Sequence, residues 1–195
     1  MKQLFFLVLL LGPIYLSGQK SIQKASSTFN NNLELRVGYF GNNIWNPGLI
    51  VTPEYTIEKW TKEKKGKTKI RQVVGNANLG FFWNPQTHVG TFTSLGLAYR
   101  KTNNKKIQTT IGINPLGYYR AFLHETYEVS DEGTVTSKPL ASRGYFAPSI
   151  IIGIGKKKTK RNWFFNIHFM LLNKYNLGNQ SLGSIEYGYR FGGKN

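Results

Sequence analysis

The chain has 195 residues, enough for one domain, and its 40% hydrophobic and 18% charged content excludes a disordered tail. Its 26 Lys and Arg against 9 Asp and Glu give a formal net charge of +17, which raises nucleic acid as a partner until the positions of the charges are considered. Cysteine is absent, so disulfides, thiolate metal sites, cysteine nucleophiles and the lipid-anchored cysteine of a lipoprotein are excluded together.

In chain order, residues 1–18 read as a secretory signal peptide. Lys2 precedes an apolar core, Leu4 to Leu11 with Ile14 to Leu16, and small residues follow at Ser17-Gly18, with cleavage expected near Gly18-Gln19. The apolar stretch is too short to span a bilayer as a helix. Residues 19–32 read as a polar linker, and 33–195 as the folded domain.

Within that domain the sequence predicts eight strands, at 33–41, 48–60, 70–83, 88–100, 107–121, 145–155, 162–173 and 182–192. Each alternates apolar and polar residues, so each has two chemically different faces. In 163–171 one face is Trp163, Phe165, Ile167, Phe169 and Leu171, and the other Phe164, Asn166, His168 and Met170. Further apolar faces are Leu33, Leu35, Val37, Tyr39; Leu49, Val51, Tyr55, Ile57; Val73, Ala77, Leu79, Phe81; Val89, Leu95, Leu97, Tyr99; Ile107, Ile111, Ile113; and Phe146, Ile150, Ile152, Ile154. The polar faces carry Gly, Asn, Thr, Ser and Gln rather than the lysine that usually dresses a wetted face. A soluble, ligand-holding barrel of lipocalin type needs the reverse arrangement. The pattern is that of an all-β, eight-stranded antiparallel up-and-down transmembrane β-barrel, each strand long enough for the roughly 9–11 residues that a tilted crossing requires. Pro53, Pro115 and Pro148 interrupt proposed strands, and a bulge or strand end is expected at them, above all near Asn114-Pro115.

The connections alternate in character. The second, fourth and sixth hold Lys62, Lys64, Lys65, Lys67 and Lys69; Lys101, Lys105 and Lys106; and Lys156, Lys157, Lys158, Lys160 and Arg161, thirteen of the 26 basic residues. Alternate connections of an up-and-down barrel share a rim, so these form one basic ring, with both ends of the barrel on that side. The long connection 122–144 lies opposite, with a hairpin expected around Asp131-Glu132-Gly133, flanked by Tyr127, Val129 and Val135. Short turns and termini conventionally face the periplasm and long loops the exterior. Trp60, Tyr99 and Trp163 near the basic rim, and Trp45, Trp83, Tyr119, Tyr145 and Tyr175 near the other, suit two aromatic girdles.

The candidate interior residues are Glu34, Arg36, Glu54, Glu58, Glu186 and Arg190, on strands one, two and eight, which closure brings side by side. Buried charges need partners, and an ion-paired network filling the bore explains these six more simply than a proton relay or a gated path. His88 and His168 look inward, and no histidine pair has metal-ligand spacing, so neither a metal nor a cofactor is expected. His124-Glu125 with Ser130, Ser137 or Ser142 offers a thin case for a lipid-modifying enzyme. The basic ring suits insertion control, or binding of anionic lipid phosphates or an envelope protein; no recognition motif or stacking platform supports nucleic acid.

Three segments carry a resemblance: Leu33-Glu34-Leu35-Arg36-Val37-Gly38-Tyr39-Phe40, Asn114-Pro115-Leu116-Gly117-Tyr118-Tyr119-Arg120, and the closing Glu186-Tyr187-Gly188-Tyr189-Arg190-Phe191-Gly192-Gly193. With the export signal, the chain resembles small outer-membrane β-barrel proteins of the Bacteroidota, a family of unknown function whose architecture is similar to the OmpA/OmpX transmembrane barrel. The resemblance implies insertion into the outer membrane and a structural or interaction role without enzymatic activity; a lipid-modifying enzyme or a narrow pore is the alternative. The chain departs from that pattern in ending on Gly192-Gly193-Lys194-Asn195 rather than on an aromatic residue.

Overall fold

The computed structural model describes residues 32–64, 66–123, 126–137, 141–157, 162–175 and 178–192. The expected signal peptide, residues 19–31 of the expected linker, and His124, Glu125, Lys65, Lys158, Lys160 and Arg161 lie outside the described residues. The strands are β1 (Leu33–Asn42), β2 (Asn46–Lys64), β3 (Lys67–Asn84), β4 (His88–Thr102), β5 (Ile107–Leu123), β6 (Tyr127–Val129), β7 (Val135–Ser137), β8 (Ser142–Phe146), β9 (Ser149–Lys156), β10 (Asn162–Tyr175) and β11 (Gly178–Gly192).

Apart from β6 and β7, which form a separate hairpin, the strands make one antiparallel wall in which chain neighbours pair, β8 and β9 act as one interrupted stave beside β5, and β1 pairs with β11 from Glu34↔Gly192 to Asn42↔Ser184. The result is an eight-stranded antiparallel up-and-down barrel. Closure leaves no free sheet edge in the wall, and the exterior is that of a transmembrane barrel. Leu49, Leu79, Leu97, Ile111 and Ile152 all point outward and are about half exposed, while their chain neighbours Ile50, Asn78, Ala98, Gly112 and Ile151 are buried in the bore.

The expected bulge or strand end is present at two of the three prolines. Asn114 and Pro115 together oppose Gly96, a bulge that shifts the β4–β5 register between Leu95 and Leu97. Pro148 lies with Ala147 in the gap between β8 and β9. Pro53 instead sits opposite Leu35 in unbroken β1–β2 register, and on its other side the β2–β3 ladder skips Thr52 and Pro53 without a register shift.

The Asn114-Pro115 bulge corrects the reading of Tyr119. An inserted residue exchanges the two faces of the strand beyond it, so Tyr118 points outward and Tyr119 is buried in the bore. The basic connections also differ from expectation. Most of 61–69 is not a loop: β2 and β3 run on through Lys62↔Lys69 to Lys64↔Lys67, a ribbon longer than the other staves. In the long connection, the hairpin around Asp131-Glu132 is present as β6–β7, with Tyr127↔Ser137 and Val129↔Val135 paired. Gly133 takes φ +76°, which a Cβ would disfavour, and its amide donates to the Ser130 carbonyl at 2.8 Å.

Candidate functional site

The bore holds two layers. The layer toward the basic rim is an ion-paired network. Glu54 on β2 is its hub: Arg36 Nη1 donates to Oε1 at 2.9 Å, and Arg100 Nη2 and Arg190 Nε donate to Oε2 at 2.6 and 2.8 Å. Arg100 Nη1 also donates to Glu34 Oε2 at 2.8 Å. Around Glu186, Asn166 Nδ2 and His168 Nε2 lie 2.7 and 2.8 Å from Oε2. Arg36 Nε lies 2.9 Å from Glu186 Oε1, a charge contact without hydrogen-bond alignment. Three arginines thus meet three glutamates, all within the bore. Such a network is neutral when His168 is neutral, and every carboxylate in it has at least one guanidinium partner, the condition for keeping charges out of water.

Polar side chains extend the network across the bore. Arg36 Nη2 donates to Asn78 Oδ1 at 3.0 Å, Asn78 Nδ2 donates to Ser94 Oγ at 2.9 Å, and Arg190 Nη1 donates to Gln108 Oε1 at 2.9 Å. The Phe164 ring fills the remaining space, with the Arg36 and Arg190 guanidinium carbons 5.3 and 5.4 Å from its centroid.

The layer toward the other rim is apolar, a departure from the polar interior the sequence suggests. Phe40, Ile50, Phe82, Phe92, Tyr119, Met170, Leu172 and Leu182 pack into one cluster. The Phe40 and Phe92 rings stand 4.6 Å apart, and Phe82 stacks on Tyr119 at 6.0 Å. Gly80 and Gly90 make this possible, since a Cβ at either would overlap the Phe92 or Phe82 ring. His88 Nε2 meets the Tyr119 hydroxyl at 2.6 Å, and Tyr145, expected in the outer girdle, is instead the cross-strand partner of Tyr119 and stacks on it on the same inward face.

Of the six expected interior residues, Glu34, Arg36, Glu54, Glu186 and Arg190 come together. Glu58 does not. Ile57 is an extra residue on β2, with Thr56 opposite Val74 and Glu58 opposite Val73, so the bulge turns Glu58 to the outer face, where it is exposed. Arg100 is the interior residue sequence reasoning missed. Its signal was present, because it closes the predicted strand 88–100 and alternates there with outward-facing Tyr99.

Lys62, Lys69 and Lys101 lie on strand ends, Lys105 and Lys106 in the β4–β5 turn, and Lys156 and Lys157 at the end of β9. Lys64 and Lys67 close the β2–β3 ladder through their backbones. The Lys157 amide donates to the Lys106 carbonyl at 2.8 Å, joining two of the basic connections. Partial burial pushes the Lys157 ammonium pKa down, and Lys59, Arg100 and Arg190 push it the same way against the pull of Glu34. Of the serines considered for catalysis, Ser142 Oγ accepts from Arg120 Nε and Nη2 at 2.9 and 2.7 Å, and Ser130 Oγ accepts from the Thr134 amide at 3.2 Å.

No protein-family model and no curated protein matches the sequence. Among solved structures the chain is similar to the N-terminal β-barrel domain of Pseudomonas aeruginosa OprF, with TM-score 0.48 and 11% identity over 84% of this chain and 99% of that one. It is also similar to Ail, the attachment invasion locus protein of Yersinia pestis, in complex with the heparin analogue sucrose octasulfate, with TM-score 0.37 and 13% identity over 82% and 99% of the two chains. A structure of Ail without that analogue gives TM-score 0.33 and 11% identity over 82% and 96%. The bore and rims of this chain, rather than these likenesses, carry the functional reading.

Proposed function

We propose that this chain is an integral outer-membrane protein, exported by its N-terminal segment, whose barrel conducts nothing and catalyses nothing and acts through its rims as a structural or interaction protein. The observation that carries this reading is the combination of an apolar outer wall with a bore sealed twice, by paired charges and by stacked rings. Large apolar side chains point outward on all eight staves, a surface that water would not tolerate as a monomer. Inside, a path for ions would have to displace Phe40, Phe82 and Phe92 at one level and part Glu54 from three arginines at the other. The engaged Ser130 and Ser142 favour a binding loop over a catalytic one.

Cell fractionation followed by gel electrophoresis of unheated and boiled samples tests the reading. The protein is expected with the outer membrane and with a heat-dependent mobility shift. Recovery in the soluble fraction without such a shift would overturn it. In planar bilayers the protein is expected to give no conductance above leak, and stable unitary steps would restore the pore.

A further inference from the structure

We infer that the outward face of the β2–β3–β4 strand ends is a binding site for the phosphate of an anionic phospholipid headgroup; this rests on the outer-membrane reading above. Arg71 and Lys101 are cross-strand partners and alternate with the buried Gln72 and Arg100, so both point away from the bore. Trp60 is opposite Arg71 on the other side, and Lys62 is opposite Lys69 one row further out. Directly opposed residues hold their Cβ atoms about 4.5–5.5 Å apart. The four cations therefore form a compact two-row block rather than a dispersed ring.

The aromatic residues set its depth. The Trp60 and Tyr99 rings lie 6.2 Å apart, on the strands either side of β3, with Arg71 between those strands. Trp and Tyr occupy the level where acyl chains give way to headgroups, so Arg71 and Lys101 stand at the height of a lipid phosphate. Among the described residues, no carboxylate is ion-paired to Lys62, Lys69, Arg71 or Lys101, and Arg71 Nε is enclosed without an acceptor. The nearby Glu58, opposite Val73, lies one row toward the barrel centre and leaves the block at a net +3 (four cations less one carboxylate).

Charge complementarity selects the occupant. The block sits on the rim with both ends of the barrel and the short turns, conventionally the periplasmic side, where the adjoining leaflet offers phospholipid headgroups. Arginine adds a planar fork suited to phosphate oxygens, which a ring of exposed lysines lacks.

Native mass spectrometry of the detergent-purified protein, offered equimolar phosphatidylglycerol and phosphatidylcholine, tests the site. The wild type should retain phosphatidylglycerol in preference. Each cation near a headgroup contributes about 5-fold, so Arg71→Gln with Lys101→Gln should cut the preference by roughly 30-fold. Lys62→Gln with Lys69→Gln, at positions outside the packed wall, should cut it less. Lys105→Gln with Lys106→Gln, in the neighbouring turn, should leave it nearly intact. No preference in the wild type, or equal losses in the turn variant and the Arg71/Lys101 variant, would overturn the site. Stronger retention of a lipid A phosphate than of phosphatidylglycerol would overturn the choice of leaflet. A heat-dependent mobility shift on the same samples separates the two proposals: barrels that shift yet show no headgroup preference refute only this one.

Discussion

Replacing Glu54 by Gln keeps the volume of the side chain and removes the charge that three arginines share. In the folded barrel Glu54 is 1% exposed and accepts from Arg36, Arg100 and Arg190 at 2.9, 2.6 and 2.8 Å. The variant leaves three guanidinium groups facing two carboxylates, and it turns an amide N–H₂ toward a group that can only donate. Removing one partner of a buried ion pair costs about 3–5 kcal/mol, chiefly because the remaining charge stays buried. With a urea dependence of about 1–3 kcal/mol per molar, the unfolding midpoint should fall by more than about 1 M. The assay is the fraction of heat-modifiable, compact band against urea concentration. Glu58→Gln is the control: the same chemical change on the same strand, at an exposed position, should stay within about 0.5 kcal/mol of wild type. Adding Arg100→Gln to Glu54→Gln rebalances the charges and should recover part of the loss. A loss below about 1 kcal/mol for Glu54→Gln, or equal losses at 54 and 58, would refute the ion-network account.

Gly117→Ala should destabilise the barrel by about 1–3 kcal/mol, since a Cβ there overlaps the Ala147 carbonyl oxygen where the two staves pass their proline breaks. Gly183→Ala, with nothing within 4 Å, should be neutral or slightly stabilising, and the same urea titration checks both. Ile44 adopts φ +71° in the β1–β2 turn and is largely exposed, so Ile44→Asn exchanges a β-branched residue for one that tolerates this conformation. It should raise stability by about 0.5–1 kcal/mol, and a loss of that size would show that the turn is not strained.

Alternation made the eight staves and their outward faces legible, because a period of two survives any uncertainty about partners. What alternation cannot reveal is a change of phase. Ile57 and Asn114-Pro115 each insert a residue, so Glu58 turned outward and Tyr119 inward against the simple count. A proline marked the second bulge, but no residue type marked the first. The apolar half of the bore was hidden for another reason. Phe82 lies in the run Phe81-Phe82-Trp83 and Phe164 in Trp163-Phe164-Phe165, where both faces are aromatic and the inward one does not stand out. The β2–β3 ribbon was obscured by lysines that suggest a turn although their backbones continue the ladder.

Because the chain has no native cysteine, the outward wall can be probed one residue at a time. Ile151 is 1% exposed and Ile152 50%, side by side on β9. A nitroxide attached to Ile152→Cys in reconstituted vesicles should be accessible to oxygen, which dissolves in hydrocarbon, and shielded from a water-soluble nickel chelate; the label on Ile151→Cys should be shielded from the chelate as well. Ready collision of the chelate with the Ile152→Cys label would mean that water, not lipid, bathes this wall.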